Sequence, residues 1–157
     1  MNTKYATIIT LFVIYIAILI KLLFFKYPLG MTFEIVHGNF VPFKTILNYL
    51  SGEPTWIIAI RNVWGNIMLF IPFGIFIPLL CRTFKWKSVL ATAFVISATL
   101  EITQGIFRAG VFDVDDILLN ILGVAIGYGV FVCIKVLLYN LRRASSQHCY
   151  LFKIINK

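Results

Sequence analysis

The chain has 157 residues, of which 61% are hydrophobic, 16% aromatic and only 13% charged, with a mean hydropathy of +0.94. A domain this small has too much surface to hide that apolar excess in a soluble core, which excludes a soluble enzyme, a disordered chain and a disulfide-stapled secreted one. The net charge of +8 would suit a nucleic-acid binder only if the basic residues clustered on one face among aromatics; here they flank apolar runs, so no nucleic-acid partner is expected.

A membrane-spanning helix takes about 20 residues. The expectation is therefore an all-α, polytopic membrane protein: one domain over residues 1–157, with four transmembrane helices in a small bundle in the lipid bilayer. The first apolar run, Tyr5 to Phe25, is interrupted only by Lys21, which can snorkel from near the helix end. It lacks the short core and small-residue cleavage site of a signal peptide, so it reads as a retained span over about 5–25. Residues 26–62 read as a loop. The second span, about 63–81, contains Pro72 and Pro78, which predict kinks or a frayed half but not a break. The third runs over about 88–107 and the fourth over about 117–138. A short basic tail, 139–157, carries Tyr150-Leu151-Phe152 and Ile154-Ile155 patches suited to the membrane surface, and no further span is expected there.

The distribution of Lys and Arg sets the expected orientation. With the N-terminus inside, the inner segments hold Lys4, Arg82, Lys85, Lys87, Arg142, Arg143, Lys153 and Lys157 and no acid. All six acids, Glu34, Glu53, Glu101, Asp113, Asp115 and Asp116, then lie in or near the outer face. Both termini are expected in the cytoplasm. Tyr27, Trp56 and Trp64 fall at the outer interface and Tyr5, Trp86 and Tyr139 at the inner one, as aromatic belts should.

Polar groups within a membrane are costly and so informative. At the end of the third span Glu101, Gln104 and Arg108 share one helical face. On the fourth, Asp116 and Asn120 share a face with Gly123 and Gly127, whose spacing lets another helix approach closely. Asn62 and Asn66 lie four apart at the start of the second. With that topology Asn62, Asn66, Glu101, Gln104, Arg108, Asp113, Asp116 and Asn120 all come to the outer third of the bilayer or just above it. Interhelical bonds and a Glu101 pair with Arg108 or Arg61 would explain some of them as adhesion. The whole set exceeds what four helices need, and points to a ligand site. Asp115 leaves this face and is expected in solvent, with Glu34 and Glu53 as ordinary loop acids.

Glu101, Asp113 and Asp116 are the candidates for general acid or base chemistry. The same carboxylates, with Arg and amides, equally describe a site for sugar hydroxyls, peptide amides or a carboxylate terminus. There is no nucleophile motif, no HExxH and no phosphate loop. His37 and His148 stand alone, and Cys81, Cys133 and Cys149 lack ligand spacing, so they read as packing residues or free thiols. Neither a metal nor a cofactor is expected.

An ordered set of motifs carries a resemblance. Asn39-Phe40-Val41-Pro42-Phe43 comes first, then Asn62-Val63-Trp64-Gly65-Asn66-Ile67-Met68-Leu69-Phe70-Ile71-Pro72-Phe73-Gly74. Glu101-x-x-Gln104 with Arg108 follows, and then Asp113-x-x-Asp116-x-x-x-Asn120-x-x-Gly123 with Gly127. Taken together, from residue 39 to about 129, these resemble the VanZ-like membrane protein family. The resemblance implies a multi-pass protein of the bacterial plasma membrane, from a family whose founder gives low-level resistance to teicoplanin-type glycopeptides. It makes a lipoglycopeptide antibiotic or a cell-wall precursor the implied partner at the cell envelope. Two functions follow: a non-enzymatic, outward-facing site that binds or modulates such a ligand, or an intramembrane enzyme on a lipid-linked or cell-envelope substrate.

Overall fold

Five helices follow one another in the computed structural model, which describes residues 3–24, 38–107 and 110–155, with side chains of the last helix as far as Arg143. They are α1 (Thr3–Phe24), α2 (Lys44–Leu50), α3 (Trp56–Leu80), α4 (Trp86–Ile106) and α5 (Val114–Ile155). Four are long and apolar enough to cross a membrane: α1, α3, α4 and the Val114–Arg143 part of α5. The protein is thus an all-α, multi-pass membrane bundle.

Two expected boundaries move. The second span begins at Trp56, seven residues before Val63, because Thr55 caps the helix by accepting from the Ile58 N–H at 3.3 Å. Arg61 and Asn62 made that turn look like loop, yet they sit on a helix that is already apolar from Trp56 to Ile60. Pro72 and Pro78 lie inside the same uninterrupted helix. The region read as a basic tail continues α5 as helix to Ile155. The 26–62 loop also contains a short helix, α2, that was not expected; Glu34 and His37 lie outside the described residues.

The helices assemble around α5, which packs most extensively on α3 and then on α4, while α1 lies against α3. α3 and α5 run parallel and touch backbone to backbone. A Cβ on Gly123 would run into the Ile67 carbonyl, and one on Gly127 into the Ile71 carbonyl. Only residues without a side chain allow that approach, as the Gly-x-x-x-Gly spacing anticipated. Beside this seam Phe70, Phe73 and Ile77 of α3, Val89 and Ala93 of α4, Val124 of α5 and Leu19 and Leu23 of α1 form the apolar core. Tyr15 of α1 reaches in to donate to the Leu69 carbonyl at 2.8 Å. That carbonyl neighbours Met68, whose own helical donor is missing because Pro72 has no N–H.

Candidate functional site

The buried stripe of α4 changes character along its length. Val89, Ala93, Ser97 and Glu101 follow at steps of four, with Gln104 three further on, and all are buried. Apolar side chains thus give way to hydroxyl, carboxylate and amide as α4 approaches its C-terminus. α3 and α5 change in the same sense, since Asn66 precedes Phe70 and Asn120 precedes Gly123 and Val124. The result is a polar layer between three helices at one end of the bundle.

Within it, the Asn120 amide donates to Ser97 Oγ at 2.8 Å. Ser97 is one turn from Glu101 on the same face, so Asn120 meets the α4 face that carries Glu101 and Gln104. Gln104 donates to the Leu23 carbonyl at 3.0 Å. Leu23 is in the last turn of α1, where carbonyls lack helical donors, so Gln104 ties α1 to the layer. Asn66 lies next to Ile67, whose carbonyl faces Gly123, one turn from Asn120. Glu101 is only 4% exposed. Three buried side-chain atoms, Asn66 Nδ2, Gln104 Oε1 and Asn120 Oδ1, have no hydrogen-bond partner among the described residues. Buried polar groups are nearly always paired, and three unpaired amide atoms in one layer are a departure from that rule.

A second polar layer closes this end. The backbone of Asn39 bridges the α4–α5 connection, its N–H donating to the Phe112 carbonyl at 2.8 Å and its carbonyl accepting from Val114 N–H at 3.0 Å. Asp113 Oδ1 accepts from Asn39 Nδ2 at 2.9 Å and from the Asp115 N–H at 2.8 Å, and Oδ2 accepts from the Thr45 hydroxyl at 2.6 Å. The Asp113 N–H points to Glu101 Oε2 at 3.4 Å, joining the two layers. Asn62 donates to the Tyr49 hydroxyl at 2.7 Å, which fastens α2 to α3. A recess of about 410 Å³ lies alongside α2, lined by Thr45, Asn48, Tyr49, Glu53 and Pro54.

Asp115 overturns an expectation. It is not in solvent but fully buried. Its carboxylate accepts from the N–H groups of Phe43 at 2.5 Å, Thr45 at 2.8 Å and Ile46 at 3.1 Å. The physical reason is the free N–H groups at the start of any helix, which a carboxylate caps well. Here the cap comes from 70 residues away in the chain.

The expected residues therefore divide. Asn66, Glu101, Gln104 and Asn120 are all buried at the same end of the bundle, in the inner layer; Asp113 and Asn62 bond within the outer one, and Asp116 is partly buried in the first turn of α5. Arg108 lies outside the described residues, so its pairing with Glu101 does too, and Arg61 is exposed on α3. Sequence reasoning missed Ser97, Thr45, Tyr49 and the role of Asn39. Only Asn39 carried a signal, as the first residue of an N-x-x-P-F motif. Among the described residues, no three His, Cys, Asp or Glu side chains are placed to hold a metal ion.

A parallel glycine seam, apolar at one end and polar at the other, defines a small multi-pass membrane protein with a buried polar layer. The chain belongs to the VanZ/LLP1 family, whose model matches residues 12–138. Over 71 residues it is 31% identical to Protein VanZ of Enterococcus faecium, a match covering 45% of this chain and 44% of that protein. The match thus spans less than half the length of that relative. No solved structure matches.

Proposed function

We propose that this chain is a single-domain protein of the bacterial plasma membrane whose polar end faces outward. There it binds or modulates a lipoglycopeptide or cell-wall ligand, giving low-level glycopeptide (teicoplanin) resistance. The observation that carries the reading is the set of unpaired amide atoms on Asn66, Gln104 and Asn120, beside the buried Glu101. They leave one donor and two acceptors ready for a polar ligand in a low-dielectric setting, where such bonds are strong. The outward orientation rests on the eight basic residues, with no acid, that the opposite side of the bundle would carry.

Glycopeptide susceptibility compared with and without expression tests the reading, repeated with Glu101→Ala. Expression should raise tolerance and the variant should remove the gain; no difference on expression defeats it. Orientation is checked separately by single-cysteine labelling from outside. Val111→Cys should react and Thr83→Cys should not; the reverse pattern turns the polar end to the cytoplasm.

The second reading, an intramembrane enzyme on a lipid-linked or cell-envelope substrate, is favoured by the burial of Glu101 within the bundle, since a carboxyl group held in a water-poor layer among amides is a suitable group for proton transfer to a bound substrate. Of its candidates, Glu101, Asp113 and Asp116, the Asp113 carboxylate accepts three hydrogen bonds. Glu101→Gln separates the readings, since an acid/base role would lose nearly all activity and a binding role would keep part of it. A substrate-derived product would decide for the enzyme.

A further inference from the structure

We propose that residues 40–50 form an interfacial anchor: Phe40, Phe43, Leu47 and Leu50 insert into the headgroup–acyl boundary of the leaflet at the polar end of the bundle.

The segment lies outside the four spans, and its seven-residue helix α2 is far too short to cross a bilayer. Phe43, Leu47 and Leu50 nevertheless stand at steps of four and three, which puts them on one helical face. They are 58%, 58% and 68% exposed, and Phe40 just before them is 65% exposed. The opposite face is fastened to the bundle through Thr45 and Tyr49. The exposed face is therefore held outward by partly buried hydrogen bonds and is not the result of a loose end. Phe43 makes the same point. It takes a left-handed backbone conformation, φ 67°, and its N–H is held by Asp115. A bulky residue enters that region only when its surroundings compel it.

Lipid is the occupant because the face is continuous with one that already meets lipid. α2 leads through a tight turn, where Gly52 lies against the Trp56 ring, into the first turns of α3. There Trp56, Ile57 and Ile60 are 60%, 80% and 55% exposed on a helix long and apolar enough to span. Beneath Phe40 the ring of Phe112 stacks at 5.0 Å between centroids, extending the patch onto the α4–α5 connection. An apolar helix face that lies in the interface plane is buried about 5–10 Å into the headgroup–acyl boundary. Lys44 and Asn48 stand at the exposed edge of α2, where they can reach headgroups and water. The anchor does not depend on which leaflet it occupies or on what the polar layer binds.

The test uses the full chain with Cys81, Cys133 and Cys149 replaced by Ser, carrying one nitroxide label at a time. Labels are placed through Phe43→Cys, Leu47→Cys, Leu50→Cys, Lys44→Cys and Asn48→Cys, in vesicles of phosphatidylethanolamine and phosphatidylglycerol. Collision with dissolved oxygen, which concentrates in lipid, is compared with collision with a water-soluble nickel chelate. Oxygen should dominate several-fold at 43, 47 and 50, and the chelate at 44 and 48. Equal access of the chelate to all five positions overturns the proposal. Spectral broadening at 47 and 50 that grows with the labelled fraction also overturns it, by showing a second copy on the face. Should the Phe43 variant not fold, the contrast of Leu47 and Leu50 with Asn48 still decides.

Discussion

The α3–α5 seam joins two regions with opposite demands. Around Gly123 and Gly127 the two backbones touch, the neighbouring side chains are Phe70, Phe73 and Val124, and a single added methyl group would not fit. One turn away, Asn66 and Asn120 are equally buried, yet each keeps an amide atom unpaired. In lipid there is little hydrophobic drive between helices, so close packing must hold them together. The glycine region supplies that adhesion, which frees the polar region from needing to be optimal for stability. The difference teaches that the polar groups are carried by the bundle more than they hold it.

The largest effect expected from this contrast is at the seam. Gly123→Leu forces a side chain into the Ile67 backbone. We expect a loss of about 3 kcal/mol or more, above the usual range for overpacking, seen as failure to accumulate or as early thermal unfolding in detergent. Gly129 has nothing within 4 Å of its would-be Cβ, so Gly129→Ala should be neutral or gain about 0.5–1 kcal/mol from the better helix former. If the two variants behave alike, the seam is not what holds the bundle.

Next comes the closing layer. Asp115→Ala leaves the N–H groups of Phe43, Thr45 and Ile46 without their acceptor. An abandoned buried donor costs about 1–3 kcal/mol, and water reaching α2 will recover part of this, so we expect about 2 kcal/mol. The loss should be local. Hydrogen exchange at residues 43–50 should rise while α3 and α5 stay protected. Uniform loss of protection would mean that the cap belongs to the same cooperative unit as the seam.

These two regions were not equally legible in the sequence. The seam was, because hydropathy marks spans and a Gly-x-x-x-Gly pair on the face of Asn120 marks a close approach. The inner layer was mostly legible as well, since Asn66, Glu101, Gln104 and Asn120 are polar residues in apolar runs and the spans turn them to one end. The closing layer was not. Asp115 binds backbone N–H groups, which every residue but proline possesses, so nothing in the sequence singles out Phe43, Thr45 and Ile46 as its partners. α2 has only seven residues, too few for a periodic signal to stand out from a loop. Asn62 is a simpler case: its amide Nδ2 donates to the Tyr49 hydroxyl in the closing layer, a partner on α2 that the sequence did not mark.

A smaller effect sharpens the comparison from the polar side. Asn66→Leu removes a buried amide whose N–H has no partner and replaces it with an apolar group of similar size. Because an unpaired polar group is a penalty in the folded state, stability should hold or rise by about 1 kcal/mol in detergent melting. A clear loss would show that Asn66 is adhesive after all, and the polar region would then resemble the seam.

The smallest stability effect, and the most telling, is expected for Asn120→Leu. The variant loses one interhelical bond, to Ser97. Such bonds average about 0.6 kcal/mol in a membrane protein, because polar groups in the unfolded state within the bilayer also find partners. Gly123 and Gly127, one and two turns further along α5, keep the seam intact, so the melting curve should barely move. Ser97 keeps a hydroxyl that can turn to a carbonyl of its own helix, which limits the damage further. Function should respond differently if the layer binds a ligand, because the variant also removes Asn120 Oδ1, one of the two unpaired acceptors. Tolerance to a teicoplanin-type glycopeptide should then fall to the level of cells without the protein, at normal protein abundance. Ser97→Ala separates the bond from the acceptor. It breaks the same hydrogen bond but leaves the Asn120 amide in place, so it should keep most of the activity that Asn120→Leu loses. Equal loss in both would make the Ser97–Asn120 bond the functional element; retention in both would reduce Asn120 to packing and confine the site to Asn66, Glu101 and Gln104.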